Sequence, residues 1–244
     1  MKTSFLSDES RGRFHMGRVL ELVEAAKAAY PADTFFDRFA ETCREIPAKH
    51  RAYRSYEDAL RYLDPASWQI LKTKAVSHFC DHRRGQLKQG FFNQLNEALA
   101  YRHLVRQGNR HVRALPEQGS QVPDLEYYEG RHRRFCEVKT LGISDREIAR
   151  RDSREVFTNA YPSLGDGFIG KLRNAIALGR KQIEAQNGEG LVYVVVTFDD
   201  IAQDYYRGYR RELAAFAKAE SIDEVYLRFG VRFNRRMRLT SGSA

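Results

Sequence analysis

The chain is poor in cysteine and proline and has no long apolar run. Its 244 residues contain only Cys43, Cys80 and Cys136. An odd number of cysteines at wide spacing excludes a disulfide framework and points to a reducing, cytoplasmic setting. The longest largely apolar run, residues 191–198, is far below the ~20 residues of a membrane helix. Residues 1–14 carry charge at both ends and no apolar stretch, which does not fit a secretory signal. These absences set aside secreted, disulfide-stapled and membrane-spanning classes. Neither a phosphate loop of the Gly-Lys-Ser/Thr kind nor a Gly-x-Ser-x-Gly elbow occurs. Acids are missing from the end of the chain, none following Glu224.

Cationic and apolar residues are well represented. Apolar residues make up 42% and charged residues 30%, a balance that builds a core rather than a disordered chain. Lys and Arg number 41 against 32 Asp and Glu, and 31 of the 41 are Arg. Arginine forks onto phosphate with paired donors, so this excess points to a phosphate-rich partner, with nucleic acid the commonest.

Two stretches differ in pattern. Residues 1–86 read as a helical region. Met16, Val19, Leu20, Val23 and Ala26 recur at helical spacing up to Pro31. A second helix is expected to carry Phe35, Phe36, Phe39 and Cys43 and to stop at Pro47. Ser55 and Asp58 suggest a capping box opening a third helix, and Asp64-Pro65 a cap and first turn for a fourth. From residue 87 to 244 the order is a helix (87–106), a strand (111–115), a hairpin, a helix (168–186) and a strand (191–198). A helix (201–219) and a last strand (224–233) come after these. The hairpin arms are 122–128 and 134–140, with the turn near Glu129-Gly130. This order predicts an α/β fold with a mixed sheet flanked by helices.

The chemistry concentrates in that hairpin. Glu137 and Lys139 are two apart on a strand and share a face, opposite Cys136 and Val138. A turn near Gly130 places Asp124 within a residue or two of Glu137 across the ladder. Two converging carboxylates repel unless a cation joins them, and Mg²⁺, with its preference for oxygen ligands and phosphate, resolves the conflict. Lys139 beside them suits water activation or neutralisation of developing charge. Taken singly, each residue also fits an ordinary solvated strand face or a turn.

Pro123-Asp124 with Glu137-Val138-Lys139 across the hairpin resembles the PD-(D/E)XK nuclease superfamily, the restriction-endonuclease-like fold, over residues 87–198. The resemblance implies a core of helix, three-stranded meander, helix and strand. It implies Mg²⁺- or Mn²⁺-dependent hydrolysis of phosphodiester bonds, with DNA as the expected partner in restriction, defence or repair. By the same resemblance Asp124, Glu137 and the main-chain carbonyl of Val138 hold the metal, and Lys139 is the catalytic lysine. Glu97, on the preceding helix, supports a second metal or the water network. Gln182, Lys181 and Lys171 compete for a polar role on the next helix. A homodimer is the form such enzymes often use to cut both strands. Arg131, Arg133 and Arg134 at the hairpin, Arg150 and Arg154 after it, and Lys181 and Gln182 are the expected nucleic-acid contacts. A catalytically inactive binding or interaction module on the same fold is the alternative. His78 and His82, four apart, offer a spacing zinc can use but lack further ligands.

Overall fold

The computed structural model describes residues 16–82, 87–117, 122–142, 148, 153, 163–197, 205–231 and 235–242. The helical stretch forms α1 (Gly17–Ala29), α2 (Phe39–Glu45), α3 (Pro47–Leu60) and α4 (Pro65–Ser77). Helix α5 (Gln89–Arg106) leads into β1 (Arg110–Ala114), β2 (Leu125–Glu129) and β3 (His132–Leu141). Then come α6 (Asp166–Glu184), β4 (Glu189–Val196), α7 (Tyr206–Ala219), β5 (Val225–Phe229) and β6 (Arg235–Leu239).

Local chemistry explains most boundaries. Asp64 caps α4, its Oδ1 accepting the Ser67 N–H at 2.9 Å ahead of Pro65 in the first turn. Gly108 lies just past α5 at φ +84°, a left-handed position that glycine takes without strain. Two expectations are corrected. Pro47 does separate the second helix from the third, but it does so by opening α3, where its missing N–H costs nothing. Ser55 and Asp58 therefore lie inside α3, and Asp58 pairs with Arg54 at 3.1 Å instead of capping. The single last strand is in fact two, β5 and β6, parted by Gly230 at φ +69°.

The six strands form one mixed sheet in the order β1-β2-β3-β4-β5-β6, with β1 and β6 at its edges. Pairing is antiparallel through β1, β2 and β3, parallel from β3 to β4 to β5, and antiparallel again to β6. The two parallel crossovers advance in one direction across the sheet, so a common handedness puts α6 and α7 on the same face. Leu172, Ile176 and Leu213 pack there with Phe135, Val192, Val194 and Leu227. The helices α1 to α5 cover the opposite face, and their buried side chains share one core with Cys136, Leu191, Tyr193 and Val195. Strand β4 is thus buried on both sides, which is why it reads as an unbroken apolar run. Among the described residues no helix is long and apolar enough to cross a membrane. All three cysteines are free, with Cys43 and Cys136 buried.

Candidate functional site: an acidic notch where β2 ends

The hairpin register pairs Leu125 with Cys136 and goes no further, while β3 continues to Leu141. Two more steps of that register would set Pro123 against Val138. Proline has no N–H to give, so the ladder ends and β3 runs on beside a notch. Asp124 fills part of it, and its Oδ2 accepts the Val138 N–H at 2.8 Å. A strand residue's N–H and C=O leave on the same side, so the Val138 carbonyl faces the same notch, where the continued register would offer it only Pro123, which has no N–H.

The notch draws on both faces of the sheet. On the α6 face, Lys139 Nζ donates to Glu137 Oε1 at 2.7 Å and also to Gln182 Oε1. Glu137 Oε2 is buried and has no hydrogen-bond partner among the described residues. Gly179, one turn before Gln182, lets α6 come close, since a Cβ there would lie 2.9 Å from Val192 Cγ1 and 3.4 Å from Glu137 Cγ. On the opposite face, Lys74 of α4 donates to both oxygens of Glu97 on α5 at 2.7 and 2.9 Å and reaches Asp124 Oδ1 at 3.4 Å. Asn96, next to Glu97, accepts from the Tyr56 hydroxyl at 3.1 Å and donates to Thr140 Oγ1 at 2.9 Å, tying α3 and α5 to β3.

Three carboxylates share two ammonium groups here, and the titration behaviour reflects it. Burial and then Asp124 push Glu97 well above the usual carboxylate range, with Lys74 pulling the other way. Burial and then Asp124 raise Glu137 to about 8 against the pull of Lys139. Burial works against the Lys74 ammonium, but Glu97 and Asp124 outweigh it and hold its pKa above normal. An acid excess and an orphaned carboxylate oxygen fit a bound cation. Among the described residues, however, no three His, Cys, Asp or Glu side chains converge as a preformed cage. Lys74 stands between two of the acids instead.

Of the residues singled out from sequence, Asp124, Glu137, Lys139, Glu97 and Gln182 come together. Gln182, not Lys181 or Lys171, reaches Lys139, and both lysines are exposed on α6. Neither Glu137 nor Lys139 is part of a solvated face, since their side chains are 4% and 24% exposed. Arg131, Arg133 and Arg134 lie at the other end of β3. From Arg133 to Lys139 is six residues, roughly 20 Å of strand. Arg133 is held by Glu126 at 2.8 Å, and Arg134 by Glu129 and by Glu224 at 3.6 Å. Arg150 and Arg154 lie outside the described residues. The histidine pair does not share a helix face: α4 ends at Ser77, and His78 pairs with Asp81 at 2.5 Å and Glu117 at 3.2 Å. Sequence reasoning missed Lys74. Its signal was a lysine on the inward stripe with Leu71 and Ala75.

Comparison with protein-family models, curated proteins and solved structures finds no match to this chain.

Proposed function

We propose that the chain is a metal-dependent nuclease built on a restriction-endonuclease-like core, acting on phosphodiester bonds in DNA. The observation that carries this reading is the notch itself, where Asp124, Glu137 and Glu97 gather beside Lys139 and one carboxylate oxygen lacks a partner among the described residues. The order of α5, the β1–β3 meander, α6 and β4 parallel to β3 supports the fold assignment.

Asp124, Glu137 and the Val138 carbonyl are the groups that would hold Mg²⁺ or Mn²⁺. A bound divalent ion supplies a water of lowered pKa and charge neutralisation for the phosphodiester. Lys139, fixed between Glu137 and Gln182, presents its ammonium where negative charge builds on the phosphoryl oxygens or where the attacking water is held. Asp124 also keeps the end of β3 in place through the Val138 amide. Glu97, linked to Lys74, sets the charge on the far side of Asp124 and orders the water around it.

The test is incubation of purified protein with supercoiled plasmid and labelled single strands, with Mg²⁺, Mn²⁺ or EDTA, beside Asp124→Ala, Glu137→Ala and Lys139→Met. The expected result is metal-dependent product, lost in both acid variants and lowered about 10²–10³-fold in Lys139→Met. Undiminished cleavage in the variants removes the proposal. The internal neutralisation by Lys74 favours a second reading, a binding module without catalysis. That reading predicts nucleic-acid binding that persists in EDTA and no product with either metal.

A further inference from the structure

A second charged site lies away from the notch, where α3, α5, β5 and β6 meet. Arg51, Arg54, Arg102, Arg106, Arg228 and Arg236 line a cavity of about 480 Å³ there, with Asp58 as the one carboxylate among its described lining residues. Asp58 is already held by Arg54 at 3.1 Å. The two deepest guanidinium groups are the informative ones. Arg102 is 9% exposed and Arg228 3% exposed. Neither has an acidic partner among the described residues. Arg228 is held by the Val231 carbonyl at 3.1 Å and Ser55 Oγ at 3.4 Å, and its Nε is buried without a partner among the described residues.

Burying a cation without a counter-charge is costly, and like charges nearby add to the cost. The strain is visible in neighbouring groups. Burial and then Arg228 lower the Arg102 pKa. Burial, and then Arg236, Arg228 and Arg238, lower His103 to about 4. Chains seldom keep such an arrangement for stability, since apolar side chains of similar volume would be cheaper. A ligand that brings the missing negative charge accounts for it. Arg102 and Arg228 are the least exposed of the lining arginines, so a group that is to meet them must reach inward from whatever carries it. A projecting, doubly charged phosphoryl group can, and guanidinium forks match its oxygens in pairs.

We infer that this arginine cavity is a binding site for a terminal phosphate, carried either by the end of a nucleic-acid strand or by a free nucleotide. The inference does not rest on the nuclease reading. None of the notch residues lines the cavity, and the test runs without divalent metal.

The test is calorimetric titration in EDTA with inorganic pyrophosphate, ATP, and one single-stranded oligonucleotide bearing either a 5′-phosphate or a 5′-hydroxyl. Wild-type protein, Arg102→Met, the exposed-rim variant Arg106→Ala and the notch variant Lys139→Met are compared. Binding of at least one phosphate probe is expected, weakened about 10–100-fold in Arg102→Met, less in Arg106→Ala, and unchanged in Lys139→Met. Without ligand, Arg102→Met should melt at or above the wild-type temperature, which an arginine kept for structure would not allow. Should Arg102→Met fail to fold, that failure overturns the inference, because it makes the arginine structural. A gain of the phosphorylated over the hydroxyl strand assigns the strand end; binding of ATP or pyrophosphate without that gain assigns the free nucleotide. No binding of any probe, or equal binding by wild type, Arg102→Met and Arg106→Ala, overturns the inference.

Discussion

The acidic notch and the arginine cavity both bury like charges, but they balance them in opposite ways. In the notch the chain supplies its own counter-ions, Lys74 to Glu97 and Asp124, and Lys139 to Glu137. In the cavity Asp58 pairs with Arg54, but Arg102 and Arg228 have no acidic partner among the described residues and lie close to each other and to further arginines. A charge neutralised from within keeps the fold intact before any ligand arrives. A charge left open weakens the fold until one does. The same side-chain types therefore carry different costs in two places on one sheet.

The internal balance of the notch is most easily upset at Lys74. Replacing it by Met strands Glu97 and Asp124 together, and loss of about 3–5 kcal/mol is expected by chemical denaturation. Mg²⁺ should restore part of that loss in the variant and change the wild type less, because the cation takes over the role of the ammonium. A variant as stable as wild type would show that Lys74 is no counter-ion at all.

Next to the cavity, though not lining it, His103 makes pH the more telling probe. His103 is neutral in the fold, with a pKa lowered to about 4 from 6.5, and it packs on Tyr193 and Tyr226 beside the arginines. Between those two values the unfolded chain binds a proton that the folded chain refuses. Stability should thus fall as pH drops from about 6.5 towards 4, by roughly 2–3 kcal/mol, and should not change on this account above 6.5. His103→Phe should flatten that part of the pH profile of the melting temperature. An unchanged profile would mean that neither burial nor the nearby arginines shift His103.

A milder effect is expected at Gly179. An alanine there meets Val192 and Glu137, and α6 must shift outward at a cost of about 1–2 kcal/mol. Because Gln182 moves with α6, the Lys139 ammonium should lose part of its support. Cleavage should then fall by a larger factor than thermal stability alone accounts for, measured by assaying well below the melting temperature.

Much of this was legible in the sequence wherever chemistry was local. Pro123, Asp124, Glu137 and Lys139 lie within one hairpin, and the strand's two-residue period with a turn at Gly130 is enough to bring them together. Glu97 was singled out through the resemblance, which implies an acid on the helix before the meander, and its spacing on that helix only located it. Lys74 was not read, because its partners are 23 and 50 residues away and no local pattern encodes that packing. The lack of acids after Glu224 was visible as composition. That Arg228 and Arg236 turn towards α3 and α5 depends on the break at Gly230 and on which face of β5 and of β6 they take, and neither can be read from a run of arginines.

The two edge strands carry a final consequence. β1 carries Arg110 and Arg113, the latter paired with Glu126, and β6 carries Arg235, Arg236 and Arg238, the last paired with Glu224 at 3.2 Å, so among the described residues both edges of the sheet are rich in arginine. A second copy trying to extend the sheet would bring arginines of the two copies close together, which disfavours edge-to-edge pairing.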